Sequence, residues 1–218
     1  MKQKIIKAIL VTAMILLSVL IALVSFRYLS FEPIDLISNK APELRANILW
    51  LSAFYLHVFP GALALFIGGP QFIGRLRDKF TGIHRTIGKV YVVSVYVSSV
   101  AGMGLAIFAD GGIAAKAGFA GLAIMWFFSN YRAYTAIRRV DIREHREWMI
   151  RNFALTFAAV TLRIWLPLFL AGFGMKFNTA YPIISWLCWV PNILVAEILV
   201  RKLERPAILA GQPEEAAA

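Results

Sequence analysis

The chain has 218 residues, of which 60% are hydrophobic and only 16% are charged. A soluble domain carries about 25% charged residues, so this composition argues against a soluble protein and indicates one that lies in lipid. The net charge of +11 would suit a nucleic-acid-binding protein, but the distribution of the charges along the chain, described below, argues against that class as well.

Six apolar segments are long enough to cross a bilayer as helices, for which roughly 20 residues are needed. In chain order these predicted spans 1 to 6 cover residues 5–26, 46–68, 87–109, 115–137, 148–172 and 180–203. The first span follows Lys2, Lys4 and Lys7, as a signal peptide would, but its apolar stretch is long and no cleavage site of small residues follows it. We therefore expect a retained membrane anchor at residues 1–30, a five-helix membrane domain at 46–204 and a disordered cytoplasmic tail at 205–218.

The loops between these spans alternate between rich and poor in Lys and Arg. If the N-terminus is cytoplasmic, sixteen basic residues lie on the inner side, around residues 2–7, 75–89, 138–151 and 201–205, and five lie on the outer side. Cytoplasmic loops carry such an excess of positive charge. The sequence therefore predicts an all-α bundle of six transmembrane helices in the inner (plasma) membrane, with both termini in the cytoplasm. Because topology explains the charge, no nucleic-acid partner is expected.

Two of the inner loops resemble each other. Arg77 precedes His84 by seven residues, and Arg138 precedes His145 by seven residues. Each loop joins a span that runs inward to one that returns, so the core of spans 2–5 has the form of a duplicated helical hairpin, and internal repeats are known among membrane proteins. The alternative is that both loops obey the same charge rule and share a histidine by coincidence.

The chain has three histidines, and ionisable groups inside a span mark function by default. His57 lies near the middle of span 2, whereas His84 and His145 lie at matching depth at the inner starts of spans 3 and 5. This spacing puts His57 about 12–15 Å from the other two, which argues against a three-histidine metal site. A low-spin b-type haem needs two axial ligands from facing helices. One interpretation is therefore a haem b between His84 and His145, with His57 beside an outer haem or a quinone.

The alternative interpretation gives each histidine a structural role. His84 and His145 would then bind lipid phosphate, backbone carbonyl groups or the neighbouring acids Glu144 and Glu147. His57 would be a hydrogen-bonded core residue next to a proline kink. The sequence leaves both interpretations open.

Span 5 carries a line of polar residues. At 100° per residue, His145, Asn152, Thr156 and Arg163 fall within about 20° of one line, which is expected to face the bundle interior. An arginine at this depth needs a partner such as a haem propionate, an anionic ligand or several carbonyl groups. Asn152, Thr156 and Arg163 are therefore candidates for contact with a ligand or a propionate, unless Arg163 extends to the outer interface.

A structural ion pair is expected near the inner end of span 6. Glu197 lies well inside this span, and Arg132 and Arg151 lie at similar depth in spans 4 and 5. Since a buried carboxylate needs a cation, one of these two arginines is the predicted partner.

Several short motifs, spread from span 2 to span 6, resemble those of one family. They are His57-x-x-Pro60-Gly61, Gly69-Pro70-Gln71-Phe72, Leu76-Arg77, His84-Arg85-x-x-Gly88-x-x-Tyr91, His145-Arg146-x-Trp148-Met149-x-Arg151, Ala154-Leu155-Thr156 and Trp186-x-x-Trp189-Val190-Pro191-Asn192 with Glu197. The family is the bacterial membrane proteins of domain of unknown function 2306, and the resemblance covers about residues 46–204. It implies a fold that agrees with the spans above, and it implies no settled activity.

A weaker, architectural resemblance is to the ascorbate-dependent two-haem cytochromes b. Those proteins also have six helices, with an outer haem held by histidines on helices 2 and 4 and an inner haem held by histidines on helices 3 and 5. His57, His84 and His145 match three of the four positions. The helix 4 position lacks a histidine, and the residues there are Trp126, Asn130 and Tyr134. The resemblance therefore implies an inner haem and puts the outer one in doubt.

These observations leave three functional hypotheses. The first is a b-type haem electron-transfer protein that uses His84 and His145. The second is a cofactor-free carrier or binding protein for a small anionic or quinone-like ligand, with Arg163, Asn152 and Thr156 lining its cavity. The third is a membrane scaffold that recruits a partner through its basic loops. The sequence shows no nucleophile–base pair, nucleotide-binding glycine loop or Cys/His metal cluster, which argues against hydrolytic, kinase-like and zinc chemistry. It does not decide whether the protein is an enzyme of another kind.

Overall fold

The computed structural model describes residues 2–30, 37–38 and 40–210, and these residues form helices and turns without a strand. Six helical segments among them are long and apolar enough to cross a membrane, which confirms the all-α prediction with six spans. The segments are Ala8–Ser30, Ile48–Phe72, Thr81–Ala106, Gly112–Arg138, Ile142–Gly172 and Phe177–Leu203. Which end of the bundle faces the cytoplasm stays a prediction from the charges.

The helices are labelled α1 to α10 in chain order. They are α1 (Lys2–Ser25), α2 (Pro42–Arg45), α3 (Ile48–Gly68), α4 (Gly74–Lys79), α5 (Thr81–Ala106), α6 (Gly112–Arg138), α7 (Ile142–Thr156), α8 (Ala158–Pro167), α9 (Phe177–Leu187) and α10 (Val190–Ala210). Two 3₁₀ turns follow α1 and α3, at Phe26–Ser30 and Gly69–Phe72, and a π-helical turn, Leu168–Gly172, follows α8. We refer to the end of the bundle with residues 73–80 and 138–146 as the basic face, and to the end with residues 40–47 and 107–111 as the opposite face.

Spans 3 and 5 begin about two turns earlier at the basic face than hydropathy predicts. Residues 81–86 and 142–147 are charged and polar, yet they are helical. Asp141 explains this in α7, because its carboxylate accepts a hydrogen bond from the backbone N–H of Glu144 at 2.8 Å and caps the helix. His84 and His145 therefore lie inside helices, each as the fourth residue. Towards the C-terminus of the chain, α10 continues to Ala210, so the first residues of the predicted tail at 205–218 are helical. Residues 211–218 lie outside the described residues.

The four helices α3, α5, α6 and α7 form the centre of the bundle. The most extensive contacts join α3 to α5, α6 to α7 and α5 to α6, so each predicted hairpin is a closely packed pair. Small residues permit this approach: a Cβ atom on Gly68 would lie 2.7 Å from the rings of both Tyr91 and Phe153. The remaining helices pack outside this centre, with α1 on α3 and α9 and α10 on α6 and α7. Whether the two hairpins arose by duplication stays a prediction.

Spans 5 and 6 are both interrupted near their middle. Phe157 separates α7 from α8, and Cys188 and Trp189 separate α9 from α10. The two interruptions lie side by side, because the Asn192 amide donates to the carbonyl of Ala154 in span 5 at 3.2 Å and to that of Cys188 in span 6 at 3.0 Å. Backbone carbonyl groups freed from a helix within lipid need such donors.

Candidate functional site

The first feature of the candidate site is a fixed imidazole, that of His145. Its Nδ1 atom lies 2.9 Å from the backbone carbonyl oxygen of Ala133 on α6. Because a carbonyl oxygen only accepts, Nδ1 carries the hydrogen, and the lone pair of the neutral ring is on Nε2. Ligand histidines are held in this way, with one ring N–H on a carbonyl group and the other nitrogen left for iron or another metal.

The second feature is the neighbouring imidazole, that of His84. His84 lies close enough to His145, and to the guanidinium groups of Arg77 and Arg85, to interact with them electrostatically. Its Nδ1 atom is buried and has no hydrogen-bond partner among the residues that the structure describes. One turn further along α5, a Cβ atom on Gly88 would meet no atom within 4 Å. The pair therefore has an unsatisfied nitrogen and open space beside it.

A hydrogen-bonded network closes the bundle interior above this pair. The Tyr91 hydroxyl, about 10 Å beyond His84 along α5, donates to Oδ1 of Asn152 at 2.6 Å and lies 2.8 Å from Oγ1 of Thr156. The indole N–H of Trp126 donates to the same Thr156 oxygen at 2.8 Å. The Asn152 amide in turn donates to the Trp126 carbonyl and to Ser129.

Two of the predicted site residues belong to this network. Asn152 and Thr156, the candidates for contact with a ligand or a propionate, are both buried and bonded to neighbouring helices. Their contact with a ligand stays a prediction. Tyr91, their common partner, follows His84 by seven residues just as Asn152 follows His145, so the repeat in the sequence could have identified it.

His57 lies apart from the pair, on the far side of this network. Its Nδ1 donates to the carbonyl oxygen of Ser98 at 2.9 Å, and the Ser98 hydroxyl donates to the carbonyl oxygen of His57 at 2.6 Å. A Cβ atom on Gly102 would lie 2.8 Å from the same ring, so only glycine fits there. His57 therefore joins α3 to α5 through one nitrogen and keeps the Nε2 lone pair.

Arg163 lies in α8, beyond the interruption at Phe157. One of its guanidinium N–H groups donates to the carbonyl oxygen of Ala159, one turn earlier in its own helix, at 2.9 Å. Its charge interacts with His57 and thus belongs to the half of the bundle near the opposite face. Arg163 thus lies in the helix that follows the one carrying His145, Asn152 and Thr156.

The predicted ion pair involves Arg151 and not Arg132. Arg151 binds both carboxylate oxygens of Glu197, at 2.6 and 2.9 Å, and joins α7 to α10. Arg132 instead donates to Glu144 at 2.7 Å, because its helix α6 faces the first turn of α7. The ring of Trp148 lies between the two guanidinium groups, 4.9 Å from that of Arg132 and 4.8 Å from that of Arg151. The pair of Arg151 and Glu197 thus links two helices of the bundle.

The described residues contain no group of three or more His, Cys, Asp or Glu side chains that could hold a metal ion. The histidine pair at the basic face consists of two imidazoles with basic neighbours, Arg77 and Arg85.

Comparison with known proteins identifies the chain at the level of family. A family described as "Predicted membrane protein (DUF2306)" matches residues 54–200, which run from the first turns of α3 into α10 and leave out α1. No curated protein and no solved structure matches the chain. The resemblance to two-haem cytochromes b thus stays an expectation from sequence. Since the match covers well over half of the residues, the chain belongs to the membrane proteins of domain of unknown function 2306.

Proposed function

We propose that this multi-pass membrane protein is an electron carrier of the inner membrane, with one b-type haem bound between His84 and His145 at the basic face. The observation that carries the proposal is the hydrogen bond from His145 to Ala133, which leaves a lone pair on Nε2. The adjacent His84 interacts electrostatically with His145, and its buried Nδ1 has no hydrogen-bond partner among the described residues. Two imidazoles are the usual axial ligands of a low-spin haem, and such an iron exchanges single electrons between Fe(III) and Fe(II).

The surrounding residues have definite roles in this proposal. The Ala133 carbonyl fixes the ring orientation of His145 and makes its Nε2 more basic. Arg77 and Arg85, which interact with His84, supply positive charge for the carboxylates of a haem. The hydrogen-bonded network at Tyr91 and Asn152 occupies the bundle interior, so in this proposal the haem would lie toward the basic face.

The proposal is tested by optical spectroscopy. We expect protein purified in detergent from haem-supplied cells to show a Soret band and an α-band shift on reduction, with one haem per chain. His84→Ala and His145→Ala should each abolish the spectrum, because either change removes an axial ligand. His57→Ala is the matched control and should retain it, because His57 lies beyond the network.

Two results contradict the proposal. One is wild-type protein from haem-supplied cells with no band that shifts on reduction. The other is a spectrum that survives in both His84→Ala and His145→Ala, since the haem would then be held elsewhere.

A further inference from the structure

Gln71 is a buried amide without a partner. It lies in the 3₁₀ turn Gly69–Phe72, where α3 ends at the basic face, and only 8% of its surface is exposed. Neither its Nε2 donor nor its Oε1 acceptor has a hydrogen-bond partner in the part of the chain that the structure describes. The histidine pair and the interior network do not account for it.

An unpaired amide is costly inside a protein. A buried donor or acceptor without a hydrogen bond destabilises the fold, so folded proteins rarely contain one without a functional reason or an additional partner. Because both atoms of the carboxamide are unpaired, the missing partner must offer an acceptor to Nε2 and a donor to Oε1. A hydroxyl group meets this requirement, because it can both accept and donate a hydrogen bond.

The surroundings of the turn select a ligand that is soluble in lipid. A Cβ atom on Gly69 would lie 3.3 Å from Ile15 of α1 and 3.6 Å from Phe153 of α7. The ring of Phe72, next to Gln71, lies 5.3 Å from that of Phe153. Helix α1 packs over this turn and over α3, so apolar side chains of α1 and α7 lie beside the turn that carries Gln71, at the end of a membrane span.

We propose that Gln71 binds a ring oxygen of a quinone-type lipid between α1 and the turn Gly69–Phe72. The hydroxyl of the reduced ring can accept from Nε2 and donate to Oε1, whereas the carbonyl oxygen of the oxidised ring can only accept from Nε2, so both forms bind and the reduced form binds more tightly. A phospholipid phosphate offers only acceptors and would leave Oε1 unpaired. This site goes beyond the proposed haem, because binding of the quinone requires no electron transfer.

The test measures binding and stability on the full chain in lipid nanodiscs. The probe is decylubiquinone, and its binding is followed by quenching of tryptophan fluorescence. We expect Gln71→Leu to weaken binding at least tenfold, since the leucine removes both hydrogen-bonding atoms at similar volume. Ile73→Ala, two residues further on and exposed, is the matched control and should bind as the wild type does.

The thermal midpoint without quinone provides the second measurement. An unpaired amide contributes nothing to the fold, so Gln71→Leu should unfold at the same or a higher temperature. A lower midpoint overturns the proposal whatever the binding result, because the amide would then have an internal partner or a structural water. Wild-type protein that does not bind decylubiquinone, or Gln71→Leu that binds it equally well, also overturns it. Quinone binding and the thermal midpoint are both measured on protein from cells grown with and without added haem. Their result therefore does not depend on whether a haem spectrum is found.

Discussion

At the scale of single residues, the centre of this protein is held by polar groups whose hydrogen bonds are nearly all accounted for. The Tyr91 hydroxyl has one hydrogen, and because Oδ1 of Asn152 only accepts, that hydrogen goes to Asn152. The Thr156 oxygen accepts from Trp126, and its own hydrogen is shared between Tyr91 and the carbonyl of Asn152. In lipid there is no water to replace a lost partner, so each of these groups depends on the others.

Removal of one hydroxyl group tests this dependence. Tyr91→Phe leaves Oδ1 of Asn152 buried without its donor, and we expect it to lower the free energy of unfolding by about 1–2 kcal/mol. The measurement is thermal or denaturant unfolding in detergent. Tyr131→Phe, at a position that is 50% exposed, is the same chemical change and should leave the stability within about 0.5 kcal/mol of the wild type. Equal stabilities for the two variants would contradict a structural role of the network.

At the scale of helices, the paired interruptions of spans 5 and 6 explain a motif that the sequence left without a role. Pro191 has no backbone N–H and cannot continue the hydrogen-bond ladder from α9 into α10. The Asn192 amide and the Thr161 hydroxyl both donate to the carbonyl oxygen of Cys188, and the two side chains lie 3.2 Å apart. Pro191 thus interrupts span 6, and the Asn192 amide links this interruption to span 5 by a hydrogen bond.

Substitution of both donors tests whether the two interruptions form one unit. Asn192→Leu removes the bridge to span 5 and should cost about 1–3 kcal/mol of unfolding free energy, and Thr161→Val should cost somewhat less. Because both side chains act on the Cys188 carbonyl, the double variant should lose less than the two single changes predict together. Asn178→Leu, at an exposed position of α9, is the control. Strict additivity in unfolding measurements would show that the two spans break independently.

At the scale of the whole molecule, the features set by hydropathy and charge could be predicted, and those set by contacts between helices could not. The six spans follow from apolar length alone, and the repeat placed His84 and His145 at equivalent positions. The partner of His145 is a backbone carbonyl, which every residue has, so no residue type in the sequence marks Ala133.

The same limit applies to two groups of polar residues. Depth along the spans could not separate Arg132 from Arg151 as partners of Glu197, because the choice depends on which helix faces α10. Helical phase put Asn152 and Thr156 on the interior side correctly, but it could not show that neighbouring helices fill that interior. Gln71 stood in a recognised motif, and only its surroundings show that its amide lacks a partner.

The orientation of the bundle can be tested with its single cysteine. Cys188 is fully buried, so the wild type should not react with a membrane-impermeant maleimide. Ile113, 83% exposed at the opposite face, and Val140, 77% exposed at the basic face, are suited to replacement by cysteine. Because the positive charge gathers on the side of Val140, Ile113→Cys should react in intact spheroplasts and Val140→Cys only after lysis. The reverse pattern would invert the topology, and labelling of both before lysis would show that the chain inserts in two orientations.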